Sequence, residues 1–484
     1  MKLTHISLFT ASILQSVYGS IFINPPALPA LPSAQQAASA AAAAGLNLTN
    51  IQGDILLGMK KNKELFFFFK IQDATAFKSH LGADILPLIT TTTQIVASSS
   101  QLTTLVNIAF SQRGLSALGV TDSLGDSLFS SGQLAGATSL GDQTSNWVPQ
   151  FAGSDIDGVL LIASDTVDNV NNTLSALQNS INGSISEVYR IQGAARPGDQ
   201  QGHEHFGFMD GISNPAVDGF SQQIVHPGQT IVPPGIILVG EANDTVPTRP
   251  SWAQDGSFLA FRQLKQLVPE FDQFLLDNAL SEPNFTLQEN AELLGARMMG
   301  RWKSGAPIDL TPLADDPVLA NDTNRNNNFN YTHPNFDITT DQSHCAFSAH
   351  VRKTNPRAGI PGGFPFHIVR AGIPYGPEVT SDESASNTSS TDASLERGLA
   401  FVAYQSSIGE GFAFLQKTWA NNVNISTYIV DISNDHFCIL CSTNNSTGED
   451  PIIGVGAGDG PRHPSGLDPQ DATKVITIEK GMFL

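Results

Sequence analysis

An α+β fold in two halves is what this chain predicts. Strand-like apolar runs alternate with helix-period stretches in the first half, and the alternation restarts after the Pro/Gly-rich connection HPGQTIVPPG. The composition, 40% hydrophobic and 14% charged, is that of a folded globular chain with an uncharged polar surface. A length of 484 residues exceeds one average domain, so two are expected, over 46–235 and 236–484.

In the first half, FFFFKI (66–71) reads as a strand buried on both faces and DATAFKSHLGADI as a helix. VNIAFS (106–111) is a second strand, followed by the short helical GLSALG. DGVLLIASD (157–165) gives a third strand, VDNVNNTLSALQNSI a helix with apolar residues at helical spacing, and SEVYRIQGAA (186–195) a fourth strand. The second half offers SFLAFRQL (257–264) and GLAFVAYQSSI (398–408) as strands, with LQENAELLGARMMGRW (287–302) and EGFAFLQKTWANN as helices. Two such halves packed sheet against sheet leave room for a cavity between them. The stretch SDESASNTSSTDAS, between 380 and 394, is polar without periodicity and reads as an exposed insertion.

Residues 1–19 have Lys2, an apolar core and a small residue at a cleavage point, as in a secretory signal peptide; 20–45 is a low-complexity pro-segment. N-x-S/T sequons recur from Asn47 to Asn445, which with the leader predicts a secreted, extracellular glycoprotein. A formal charge of -20 argues against nucleic acid as a partner, and no later segment approaches the length of a membrane span. No obligate protein partner is evident. Cys345, Cys438 and Cys441 are too few for a disulfide framework and read as buried or bridged structural residues.

Three motifs carry possible chemistry. GFMDG (207–211) sets Asp210 between two turn-permitting glycines in apolar, aromatic surroundings, where burial raises a carboxyl pKa; by itself it reads more simply as a turn. SAHVRKTNPR (348–357) places His350 beside Arg352, Lys353 and Arg357, a metal-type ligand near cations that suit carboxylates. HIVRAGIPYG (367–376) ends a β-branched stretch with Arg370 just before Gly and Pro, where a charged head projects from a strand end. Taken singly, a turn, a structural histidine and a surface arginine explain them as well.

Together, HFGFMDGISNP, SAHVRKTNPR, VRAGIPYG and GLAFVAYQSSI resemble the successive signatures of the dye-decolorising peroxidases of secreted fungal type, over roughly residues 46–480. The resemblance implies two ferredoxin-like domains forming a dimeric α+β barrel-type fold, the first carrying the GxxDG motif and the second binding haem, with one haem b per chain between the sheets. It implies His350 as proximal iron ligand, Asp210 and Arg370 as the catalytic pair on the distal side, and Leu399 and Phe401 bordering the distal pocket. Arg352 would contact the haem, and Trp419 and Tyr375 would be surface oxidation sites for bulky substrates. Asp450 is a candidate to orient His350.

Such a site cleaves hydrogen peroxide with Asp210 as proton shuttle and Arg370 as stabiliser, then oxidises dyes, phenols or lignin-related compounds by one-electron steps. An Asp starts near pKa 3.9 and a His near 6.5, so an Asp shuttle predicts an acidic optimum, by roughly those values. Two other readings predict different behaviour: a haem-binding or iron-handling protein with little turnover, and an acid hydrolase pairing Asp210 with Glu204.

Overall fold

The four-phenylalanine run sets the architecture. In β1 (Lys63–Ile71) every phenylalanine from Phe66 to Phe69 is buried, because the strand is covered on both faces and paired on both edges. Phe66 and Phe68 face one core, where both pack against Phe261 of the second half with ring centroids 5.1 and 5.0 Å away. Phe67 and Phe69 face another, formed with Phe77 and the long helix of the first half. The computed structural model describes residues 45–97, 102–153, 155–220, 225–338, 340–359, 366–423, 448–455, 460–471 and 473–479. The predicted signal peptide and nearly all of the predicted pro-segment lie outside these residues, as do Cys438 and Cys441.

Antiparallel neighbours of β1 are β3 (Gly158–Ser164) and β4 (Ile185–Ala194), with β2 (Thr104–Phe110) beyond β3. Short β5 (Ala216–Val217) and β6 (Ile231–Val232) form a separate parallel pair. The second half contributes β7 (Phe258–Lys265), the two-residue β8 (Val369–Arg370), β9 (Ile373–Tyr375) and β10 (Gly398–Gln405). A Gly193↔Tyr375 bridge joins β4 to β9, so both halves share one sheet of order β2-β3-β1-β4-β9-β10-β7. Only glycine fits at position 193, since a Cβ there would stand 2.3 Å from Ile373 Cγ2. The sheet curls until β1 and β7 meet through their phenylalanines, which makes it the curled sheet of an α+β barrel.

Five helices matter for the site. α1 (Ala74–His80) and α2 (Val167–Ile181) cover the outer face of the first half. Thr166 caps α2 by accepting from Asn169 N, and Val170, Leu174, Leu177 and Ile181 form its buried stripe. α3 (Val268–Asp277), which the sequence did not single out, packs with α4 (Leu287–Met299) in a further core that also takes in the loops around 300–349 and 450–478. α5 (His350–Thr354) is a single turn rising from that core.

The polar stretch 380–394 is exposed over most of its length, as expected, but one buried residue anchors it. Thr380 and Glu383 form a capping box that starts a helix over Ser381–Ser386, and Glu383 is buried. Its carboxylate accepts from both Arg397 terminal nitrogens, at 2.7 and 3.0 Å, and from Ser390 N. A buried ion pair is long-range in sequence and has no periodic signature, which is why the stretch looked featureless.

Candidate active site

Asp210 is held by a turn tied down on both sides. Met209 N donates to Lys303 O at 3.1 Å and Asp210 N to Gly202 O at 2.9 Å. Gly207 and Gly211 have φ of 93° and 82°, a region that side chains disfavour, so the glycines are there to make the turn. Glu204, the partner required by the hydrolase reading, is turned back into this turn. Its oxygens accept from Phe206 N and Phe208 N, both at 2.9 Å, and from the Gln266 amide.

Arg370 ends β8, where it lies opposite Ala403 of β10. Asn214, four residues after Asp210 in the same motif, clamps the Arg370 backbone from both sides, accepting from its N–H at 3.1 Å and donating to its carbonyl at 2.8 Å. With the backbone fixed, Arg370 Nη1 donates to Asp210 Oδ1 at 2.5 Å. Gly211 N donates to the same oxygen at 2.6 Å. Both bonds use Oδ1, which leaves Oδ2 as the oxygen these bonds do not occupy. The side chains of the pair are 29% and 32% exposed, open enough for a small molecule to reach.

Burial alone pushes the Asp210 carboxyl up, as its surroundings predict. The Arg370 charge and hydrogen bond, the Gly211 N–H and the nearby His350 ring together outweigh burial and hold it below the ordinary carboxylate value. Lys60 lies in a positive-φ turn before β1 and is a second cation in this field. Its ammonium is pulled down by burial and supported by Asp54 and Asp210.

His350 is aligned by a fully buried carboxylate. Its Nδ1 lies 2.8 Å from Asp450 Oδ2, while Asp450 Oδ1 accepts from Ile452 N and Ile453 N at 2.8 and 3.0 Å. A carboxylate is an acceptor, so Nδ1 carries the proton and Nε2 is left as the coordinating nitrogen. Asp450 thus stands in the orienting place that the sequence offered it without fixing.

Alternation along β10 sorts its side chains. Ala400, Val402 and Tyr404 point into the shared core, so Leu399, Phe401 and Ala403 point the other way, and Leu399 and Phe401 remain half-buried. Arg370, directly opposite Ala403, shares that face. The structure therefore gathers Asp210, Arg370, Leu399 and Phe401 beside one surface, with His350 close enough to bias Asp210.

Three expected residues are elsewhere. Arg352 is two positions beyond His350 on α5 and turns into the core, donating to Cys345 O at 2.5 Å and stacking on Phe347 and Tyr331 at 4.2 and 4.7 Å. Within the same basic run Arg357 borders a cavity of about 360 Å³ with Phe329 and Thr230. Trp419 is 3% exposed and packs edge-on against Phe414 and Phe366, so no dye can touch it. Tyr375 is 5% exposed, with its hydroxyl 3.1 Å from Glu396 Oε1. Neither is a surface residue. Tyr375 ends β9 and Trp419 lies within the helical stretch Leu415–Ala420, and the burial of both depends on long-range packing. Cys345 is a buried free thiol whose pKa burial pushes up to about 12.

A carboxylate–guanidinium pair and, near enough to influence it, a carboxylate-backed imidazole, framed by a curled α+β sheet, supply the groups that a peroxidase-type site needs. Comparison with known proteins names the family. Residues 50–197 match the DyP dimeric alpha+beta barrel domain and residues 202–444 the Dyp-type peroxidase C-terminal domain. Peroxidase 2 of Mycetinis scorodonius is 58% identical over 99% of this chain and 95% of its own. A dye-decolorizing peroxidase of Auricularia auricula-judae is 52% identical over 90% of this chain and 82% of its own. A crystal structure of a decolorizing peroxidase from Auricularia auricula-judae, 51% identical, superposes with a TM-score of 0.84 over 91% of this chain and 95% of that one. The chain belongs to the DyP-type, dye-decolorizing peroxidases, and it is an enzyme of that class. Membership implies a haem cofactor, hydrogen peroxide as oxidant and a reducing substrate.

Proposed function

We propose that this enzyme is a secreted haem peroxidase that uses hydrogen peroxide to oxidise bulky dyes and phenolic or lignin-related compounds by one-electron steps. The carrying observation is the Asp210–Arg370 pair, joined through Oδ1 with Oδ2 left open, beside an imidazole whose Nδ1 is taken by Asp450.

The donor set suits a haem, which we take to be haem b. His350 Nε2 would hold the iron, and the half-buried Leu399 and Phe401 would border the distal space. When bound, haem supplies the redox equivalents. The chain's own groups move the proton. Asp210 Oδ2 accepts it from peroxide and returns it to the departing oxygen, while the Arg370 guanidinium stabilises the negative charge that develops there. Asn214 keeps Arg370 in place, and Asp450 keeps His350 in the coordinating tautomer.

Electronic spectra of the purified protein before and after peroxide test this reading. A Soret band that changes on peroxide addition and returns with a dye is expected. A stable band without turnover would instead identify a haem-binding protein, and no band at all would end the proposal. Secretion rests on the leader and the sequons, and the N-terminus of protein recovered from culture medium tests it.

A further inference from the structure

Outside the peroxidase site the chain carries a second set of metal-type donors. Asp309, His333 and His344 come from separate parts of the loop-rich layer after α4, and one donor atom from each lies within 4.8 Å of the other two. His333 Nε2 is 2.9 Å from Asp309 Oδ1. The two imidazoles stack, with centroids 3.8 Å apart at 22°, and Phe336 packs edge-on against both. His344 Nδ1 donates to the Asp309 carbonyl at 2.8 Å, which leaves Nε2 as the nitrogen able to bind a metal.

An independent observation points to an occupant. Asp309 is 2% exposed, yet its Oδ2 accepts no hydrogen bond among the described residues. Buried polar atoms in folded proteins nearly always have a partner, and a cation is a partner that suits a carboxylate oxygen beside two imidazoles. The recess also contains Asp337 and Asp341 against one cation, Arg352, whose guanidinium is already engaged with the carbonyls of Cys345 and Ile338. Its charge balance favours a positive ligand.

We propose that Asp309, His333 and His344 form a structural site for a divalent transition cation of the zinc type, with water completing the coordination. Two imidazoles and one carboxylate suit zinc, whereas calcium and magnesium prefer oxygen alone. Ligand atoms around tetrahedral zinc stand roughly 3.3 Å apart, given bond lengths of about 2.0–2.1 Å, so small side-chain movements close the set. The site ties the 309 and 333 loops to the segment that enters α5, and so supports the wall behind His350 without using any group of the peroxidase site.

The test uses holoenzyme dialysed against a chelator, which removes loosely held metals, followed by equilibrium dialysis against zinc chloride with metal analysis. About one zinc per chain beyond haem iron is expected, with a higher unfolding temperature in its presence. His333→Gln and His344→Gln should keep the Soret band and weaken zinc binding by more than the roughly 10–100-fold that outer-shell changes cost. Wild-type protein that takes up no stoichiometric zinc, or variants that bind it as wild type does, would overturn the site. X-ray absorption at the zinc edge of the wild type gives a readout independent of the variants: two-imidazole scattering supports the site, and its absence refutes it.

Discussion

Replacing Asp450 with asparagine isolates the group that aligns the proximal imidazole. The asparagine oxygen can still accept from Ile452 N and Ile453 N, so the turn survives. Its amide nitrogen then faces Nδ1, donor against donor. His350 must lose the 2.8 Å bond or move its proton to Nε2, and an Nε2–H imidazole cannot coordinate a metal. A hydrogen bond to a charged group contributes about 1.5–3 kcal/mol, consistent with the roughly 10–100-fold loss of metal affinity seen when such partners are removed. The charge is lost as well. Burial pushes Lys353 down to about 8 and Arg462 to about 10, and Asp450 with Glu449 opposes both shifts. The substitution should therefore weaken haem binding by about one to two orders of magnitude and raise the iron reduction potential, because the imidazole loses anionic character. Haem titration of the apo-protein followed at the Soret band measures the first effect, and a redox titration the second. Wild-type affinity together with a wild-type potential would refute the assignment of Asp450 as the positioning residue.

Other outcomes follow from the same geometry. Asp210→Asn should lower the rate of peroxide cleavage by roughly 10²–10⁴-fold in stopped-flow mixing while haem remains bound, the loss typical for a general acid–base. Because the Asp210 carboxyl is held below its ordinary value, the base stays ionised as pH falls, so the acid limb of the peroxide rate should lie below 3.8. Arg370→Leu removes the strongest opposition to burial, leaving the Gly211 N–H and His350, and should move that limb upward; an unmoved limb would count against Asp210 as the base. Burial by itself raises Glu383, but Arg397 and neighbouring N–H groups bring its pKa down to about 2 from 4.5. Its stabilisation is therefore complete above 4.5 and is lost as pH falls toward about 2. Glu383→Gln should cost about 3–5 kcal/mol in denaturant unfolding at neutral pH, the cost of breaking a buried pair, and progressively less in acid. Burial stops a dye from touching Trp419 but does not stop an electron passing through one packed layer. Trp419→Phe should reduce turnover of a bulky dye while sparing ABTS, and equal losses for both would reject a relay through the indole.

Where a function depends on residues close in sequence, the chain was readable. Continuous apolar runs placed β1 and β3, which are buried on both faces, and strand-like and helix-period patterns placed β4, β7 and α2 within a few residues. The GFMDG turn and the Arg370 strand end follow from glycine and proline geometry. Asp210, His350 and Arg370 became a set only through their joint resemblance to one family.

The amino-acid sequence alone determined the α+β class, the alternation of strands and helices, and the residue types available for chemistry, since those depend on local periodicity and side-chain identity. Only the tertiary structure decided how distant residues meet. It put Asp450 one hundred positions from His350 on the same hydrogen bond and placed Asn214 on both sides of the Arg370 backbone. It also turned Arg352, Trp419 and Tyr375 inward and overrode the raised pKa that apolar neighbours predicted for Asp210. The physical reason is common to all of these. Burial, ion pairing and hydrogen bonding are set by what packs against a side chain, and here those partners come from segments that the chain order keeps far apart.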